Sequence, residues 1–145
     1  MAEPEIIDGT GLILGRLASE VAKRVLEGKE VVVVNAEKCI ISGSKAQILE
    51  RYTMKQHLGG PHRSGPFYPR MPDQILRRTV RGMLPYKKPR GKAAYRRFKA
   101  YIGVPKEFEG RAFQTVESAK NRGIVKYMEL GELAKNLGAN FEVVR

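Results

Sequence analysis

Four consecutive valines, Val31 to Val34, constrain the fold of this chain more than any other feature. A β-branched run without polar alternation is the pattern of a strand covered on both faces. What precedes it fits such a strand. Ile6 and Ile7 suggest a short strand, a glycine turn follows, and Leu14, Leu17, Ala18, Val21, Val25 and Leu26 recur at the three- and four-residue spacing of an amphipathic helix closed by Gly28. Strand, helix and strand make a βαβ unit. Cys39 to Ile41 adds a short extended piece, and Ser42 or Ser44 caps a second helix through AQILERYTMKQH, with Ile48, Leu49 and Tyr52 inward. The expected architecture is α/β: a three-layer α/β/α single domain, residues 1–145, around a small mostly parallel sheet, with basic helices and an extended Pro/Gly-rich loop. A length of 145 residues and 42% hydrophobic content are enough for one such core.

That loop is GGPHRSGPFYPRMP, residues 59–72, whose three glycines and four prolines exclude both helix and central strand. It has few apolar anchors to offset the entropy of ordering it, so a partner is expected to order it. The basic segment 73–101 comes next. PDQILRRTVRGMLP suits a helix from Pro72 or Asp73, with Leu76, Val80, Met83 and Leu84 on one side and Arg77, Arg78 and Arg81 on the other. RGKAAYRRFKAY reads as a second basic helix, with Ala94, Phe98 and Tyr101 as its apolar stripe and Lys92, Arg96 and Lys99 opposite. Pro85 and Pro89 bracket the connector between the two helices. The tail offers a strand at Ile124 to Leu130 and a helix in GELAKNLG, closed by Gly138, before FEVVR.

Charge is segregated along the chain. Residues 51–106 hold fifteen Lys/Arg against the single acid Asp73, a local +14 in a chain whose total is +12. A merely solvated surface mixes both signs, so the segregation favours a dedicated anion-binding face. Nucleic acid and anionic membrane are the candidate partners. The longest apolar run, VVVV, is far short of the roughly 20 residues that a membrane span needs, and MAEPE is acidic rather than signal-like. A lone Cys39 among apolar neighbours reads as a core residue of an intracellular protein.

Motifs for chemistry are sparse. Two histidines and one cysteine do not supply the usual structural zinc set, and no nucleophile elbow, Walker loop or zincin motif is present. The turn GTGLILG places Gly9, Gly11 and Gly15 between strand and helix, as in a dinucleotide-binding turn. Its third glycine is one residue late, however, and Asp8 would face the phosphates. A nucleotide-binding enzyme therefore stands as an alternative to a plain tight turn. Phosphates neutralised by Lys and Arg release counterions, and Phe67, Tyr68, Tyr86 and Tyr95 interleave the charge with rings able to stack on exposed bases. Of the aromatics, Tyr86 is the foremost stacking candidate, whereas Phe98 and Tyr101 suit the core. Charge alone does not choose among RNA, duplex DNA and anionic lipid, which leaves a general cationic binder as a second alternative.

Particular strings narrow the choice: LGRLAS at 14–19, VVVNAEK at 32–38, SGSK at 42–45, and RTVRGMLPYKKPRGKAA at 78–94. Together, and in this order, they resemble the universal large-subunit ribosomal protein L-thirteen family over nearly the whole chain. The compact length and the PYKKPRG and KAYIGVP strings look like its archaeal and eukaryotic branch. The resemblance implies a non-catalytic constituent of the large ribosomal subunit that binds its ribosomal RNA, supports assembly, abuts neighbouring ribosomal proteins and works in the cytoplasm. It implies no cofactor, metal, small-molecule substrate or membrane. The RNA-binding role falls first on Arg77, Arg78, Arg81, Lys87, Lys88, Arg90 and Lys92, and second on Lys45, Arg63 and Arg70. Arg96, Arg97, Lys99 and Tyr86 complete the candidate set from the charge and stacking arguments. Gly82 allows close backbone approach.

Overall fold

The computed structural model describes residues 3–56 and 68–141. His57, His62, Arg63 and Phe67, with most of the Pro/Gly-rich stretch, lie outside the described residues, as does the chain after Phe141. The elements run β1 (Glu5–Asp8), α1 (Leu14–Leu26), β2 (Val31–Val34), β3 (Ile40–Ser42), α2 (Lys45–Gln56), α3 (Pro72–Gly82), α4 (Pro89–Arg96), β4 (Phe98–Ala100), β5 (Tyr127–Glu129) and α5 (Leu130–Asn136). The result is an α/β domain around a small parallel sheet in the order β1-β2-β4, with β3 and β5 forming a separate antiparallel pair. No helix among the described residues is long and apolar enough to cross a membrane.

The valine run is the central strand, and its two faces serve different clusters. Val31 and Val33 join Ile7, Leu17, Val21, Val25, Leu76, Val80 and Phe98 under the helices. Val32 and Val34 meet Ile6 and Phe108 on the opposite face, with Tyr101 and Val104 packed beside them. One outer layer is therefore helical, and the other is the 101–108 segment with its short 3-10 turn at Lys106–Phe108. Helix α1 packs against both α3 and α4, which places the basic helices directly over the sheet. Each fully buried Leu or Val on this stripe contributes about 1.5–3 kcal/mol, so the basic segment is fastened to the main core. Ser44 caps α2, its Oγ accepting from the Gln47 N–H at 3.3 Å, and Ile48 is buried with Leu49 and Tyr52 against the same core.

Three expectations are corrected. The second basic helix does not reach Tyr101: it ends at Arg96, and Phe98–Ala100 is a strand pairing parallel with β2, Val31 opposite Phe98 and Val33 opposite Ala100. The open edge of β2 takes these residues, because Phe98 and Ala100 alternate inward around an exposed Lys99. Met83 is 44% exposed instead of inward, since the helix ends at Gly82 and Met83 is the cap residue, while Leu84 is buried. The strand in the tail covers only Tyr127–Glu129, because Leu130 already begins α5.

Candidate nucleic-acid interface

Helix α3 buries Pro72, Ile75, Leu76 and Val80 and turns Arg77, Arg78 and Arg81 the other way. At 100° per residue the three arginines fall within an arc of roughly 100°. Each guanidinium lies over a tyrosine ring: Arg77 over Tyr95 at 5.1 Å, Arg78 over Tyr68 at 4.5 Å, and Arg81 over Tyr86 at 4.2 Å from the centroid. Tyr86 and Tyr95 meet edge to face at 5.6 Å, so Arg81, Tyr86, Tyr95 and Arg77 form one continuous row. A guanidinium held over a ring forms no ion pair and can still offer its outward N–H groups to a phosphate, although the Arg77 Nε–H is buried and meets no acceptor among the described residues. The tyrosines thus hold the arginines in place without neutralising them. One face of Tyr86 is covered by Arg81, which makes it an arginine support in this conformation.

Among the described residues no carboxylate pairs with these cations. All seven acid–cation pairs among the described residues involve groups outside residues 51–106, among them Arg24 with Glu5 and Glu20, and Lys120 with Glu117. Such pairs would have to be broken before phosphate could bind, so their confinement elsewhere leaves the face ready. Asp73, the one acid of the basic segment, sits half-buried in the first turn of α3, where the helix dipole favours it.

The connector between α3 and α4 presents the remaining first-rank cations. The Lys88 N–H donates to the Pro85 carbonyl at 3.0 Å, closing a turn whose Lys87 and Lys88 are exposed, as are Arg90 and Lys92 beyond it. Gly91 is what lets α4 lie against this turn, because a Cβ there would run into the Pro85 carbonyl and the Tyr86 backbone nitrogen. Gly82, in contrast, has open space at its Cβ position.

Other candidates are placed apart. Arg96, Arg97 and Lys99 border a depression with Tyr101 and Phe108, on the sheet face away from the helical layer, where Glu30 and Glu107 also line it, so this face is not acid-free. Arg97 also donates from Nη1 to the Val25 carbonyl at 2.8 Å, closing the end of α1. Lys45 is paired with Glu132 at 3.0 Å, and Arg70 donates from Nε to Gln56 Oε1 at 2.9 Å. Lys55 escaped the sequence reading: its Nζ lies 4.8 Å from the Tyr52 ring and 5.4 Å from Tyr68. The i, i+3 spacing of Tyr52 and Lys55 on α2 was the signal that could have found it.

The glycine turn is engaged in its own fold. Gly9 donates to the Val34 carbonyl, Gly11 to that of Lys38 and Leu12 to that of Gly9, while the Thr10 N–H and hydroxyl both donate to Asp8 Oδ1. Burial would raise the Asp8 pKa, but the Thr10 and Asn35 hydrogen bonds outweigh it and hold the carboxyl below its usual range. A carboxylate fixed in the turn, with the loop N–H groups already used, opposes a pyrophosphate there. Gly9 is required by packing, since its Cβ would press on Cys39 Sγ at 2.8 Å. Burial, with Glu37 and Asp8 nearby, pushes the Cys39 thiol up to about 12.

A small α/β domain with stacked, acid-free arginines on one face is of the class that holds a polyanion. The chain belongs to the ribosomal protein L13 family: the model of that family, described as "Ribosomal protein L13", matches residues 3–107. It is 52% identical over 139 residues to the "Large ribosomal subunit protein uL13" of Methanosphaera stadtmanae, covering 94% of this chain and 98% of the relative. The protein of the same name from Methanocaldococcus jannaschii is 50% identical over 141 residues, 94% of this chain and 98% of that one. A third, from Archaeoglobus fulgidus, is 48% identical over 136 residues, 92% of this chain and 86% of the relative.

Proposed function

We propose that this protein is a structural constituent of the large ribosomal subunit that binds ribosomal RNA and supports subunit assembly in the cytoplasm, with neighbouring ribosomal proteins as further partners. The observation that carries the reading is the row of arginines on α3, each stacked on a tyrosine, in a segment free of acid–cation pairs among the described residues. Arg77, Arg78 and Arg81, with Lys87, Lys88, Arg90 and Lys92 on the adjoining connector and α4, supply the main phosphate contacts. Arg96 and Lys99, on another face, serve a separate RNA segment, whereas Arg97 and Lys45 act chiefly within the fold. Arg70 contributes beside Gln56. Tyr86 acts by holding Arg81 for phosphate. The relatives' names as large ribosomal subunit proteins support the same reading, which needs no cofactor, metal, membrane or small-molecule substrate.

Sedimentation tests it. The endogenous protein is expected to travel with large subunits through a high-salt gradient, and a protein found entirely in the ribosome-free fraction would refute the proposal. Purified protein should prefer folded large-subunit RNA over duplex DNA and anionic vesicles at equal salt; equal binding to all three would make it a general cationic binder.

A further inference from the structure

We infer that the cleft between the first turn of α1, the end of α2 and the outer side of α3 is a pocket for one nucleotide extruded from its RNA helix, its base against Tyr52 and Tyr68 and its phosphate on Lys55 and Arg78. This rests on the RNA-binding reading above and adds to it a site for a single unpaired nucleotide. The cleft has a volume of about 450 Å³, within the roughly 300–1,000 Å³ of pockets that take small ligands. It accommodates a nucleotide rather than a helix.

The lining fits that occupant. Leu14 and Ile75 supply apolar surface and Tyr52 and Tyr68 the rings; among the described residues Lys55 and Arg78 are the only charges that line it, and no carboxylate does. Aromatic rings beside cations are how proteins hold unstacked bases with their phosphates. Both cations lie by the Tyr68 ring, Arg78 at 4.5 Å and Lys55 at 5.4 Å, so that ring gathers the phosphate-binding groups as Tyr86 does for Arg81, and its remaining surface and Tyr52 are left to the base. Tyr68 itself is anchored: Gln56 Nε2 donates to its carbonyl at 3.1 Å, and Arg70 Nε holds the other end of the same Gln56 side chain at 2.9 Å. The wall is built before any ligand arrives.

Two glycines keep the cleft open. Gly15 is the second residue of α1 and Gly82 the last of α3, and both line the cleft. Neither has a positive φ, and a Cβ at either would meet nothing among the described residues within 4 Å. Neither backbone conformation nor close packing therefore calls for glycine, which weakens a helix relative to alanine. An unfilled space in front of both positions accounts for them.

The test uses the full chain, purified large-subunit ribosomal RNA and the double variant Gly15→Met, Gly82→Met, which fills the cleft with good helix formers and changes no charge. A fall of about tenfold or more in RNA affinity is expected, with melting temperature unchanged or raised. Ultraviolet crosslinks from RNA to Tyr52 or Tyr68 should be present in the parent and absent from the variant. Unchanged affinity with unchanged crosslinks would overturn the inference while leaving RNA binding standing. So would unchanged RNA affinity together with loss of binding to a phosphoserine peptide, which would assign the cleft to a protein partner. A parent chain that binds no ribosomal RNA would refute the broader function and the pocket together. Should the double variant misfold by circular dichroism, Tyr68→Leu, which retains bulk but no ring, carries the same affinity test.

Discussion

Gly91→Ala adds one methyl group at the junction of the two basic helices, and its effect follows from where that methyl falls. The new Cβ would overlap the Pro85 carbonyl and approach the Tyr86 nitrogen to 2.8 Å. Neither neighbour is a flexible side-chain end, and Pro85 is stiff in φ. The turn at 85–88 and the first turn of α4 must therefore separate. Overpacking of this kind costs about 1–3 kcal/mol, and backbone resistance places it near 3. Alanine recovers about 1 kcal/mol of helix propensity, leaving a net loss of about 2 kcal/mol. For 145 residues, an unfolding entropy of roughly 2.1 cal/mol/K per residue gives about 0.3 kcal/mol/K. Thermal unfolding by circular dichroism should then show a melting temperature about 7 °C lower. Gly82→Ala, nine residues earlier and open at Cβ, should move the other way by about 2–3 °C. A Gly91→Ala protein as stable as the parent would refute the packing argument.

Replacing Arg77, Arg78 and Arg81 together with Glu should weaken RNA binding and lower its salt slope by about three, roughly one for each phosphate no longer neutralised, with the circular dichroism spectrum unchanged; an unfolded variant would show those arginines to be structural. Tyr86→Phe keeps a ring under Arg81 and should leave RNA affinity within twofold or so, whereas Tyr86→Ala should reduce it by about three- to fivefold; equal affinities in filter binding would count against the support role. Cys39 should resist thiol reagents at pH 8 in the folded protein and react on unfolding, and fast native labelling would contradict its burial. Because its folded pKa is raised to about 12 from 9.0, the stability it contributes is complete below about pH 9 and lost as pH climbs toward 12. Cys39→Ala should flatten that alkaline decline in chemical unfolding curves.

Much of the fold was legible because single residues carried its period. Val31–Val34 and the α1 stripe declare a covered strand and a helix without reference to anything distant. At Phe98 the same reasoning failed: Ala94, Phe98 and Tyr101 are spaced for a helical face, and all three do pack, yet Phe98 and Ala100 also alternate around Lys99. Three residues cannot decide between these periods. The unpaired edge of β2, more than sixty positions earlier, decides. The charge of the interface was equally plain, but its order was not. The stacking of Arg77 on Tyr95 and Arg78 on Tyr68, the pairing of Lys45 with Glu132 and the capping of α1 by Arg97 join residues that no local spacing relates.

The place of β4 also has a kinetic side. During synthesis β1, α1 and β2 emerge early, but β2 keeps one edge open until Phe98–Ala100 follow it, about sixty residues later. At roughly 5–20 residues per second that interval is about 3–12 seconds. Within it the nascent chain exposes an unsatisfied strand edge and, growing behind it, most of its positive charge. Closing the sheet and completing the cationic face are then nearly one event, so an RNA that holds the segment around α3 and α4 steadies the very piece that must dock.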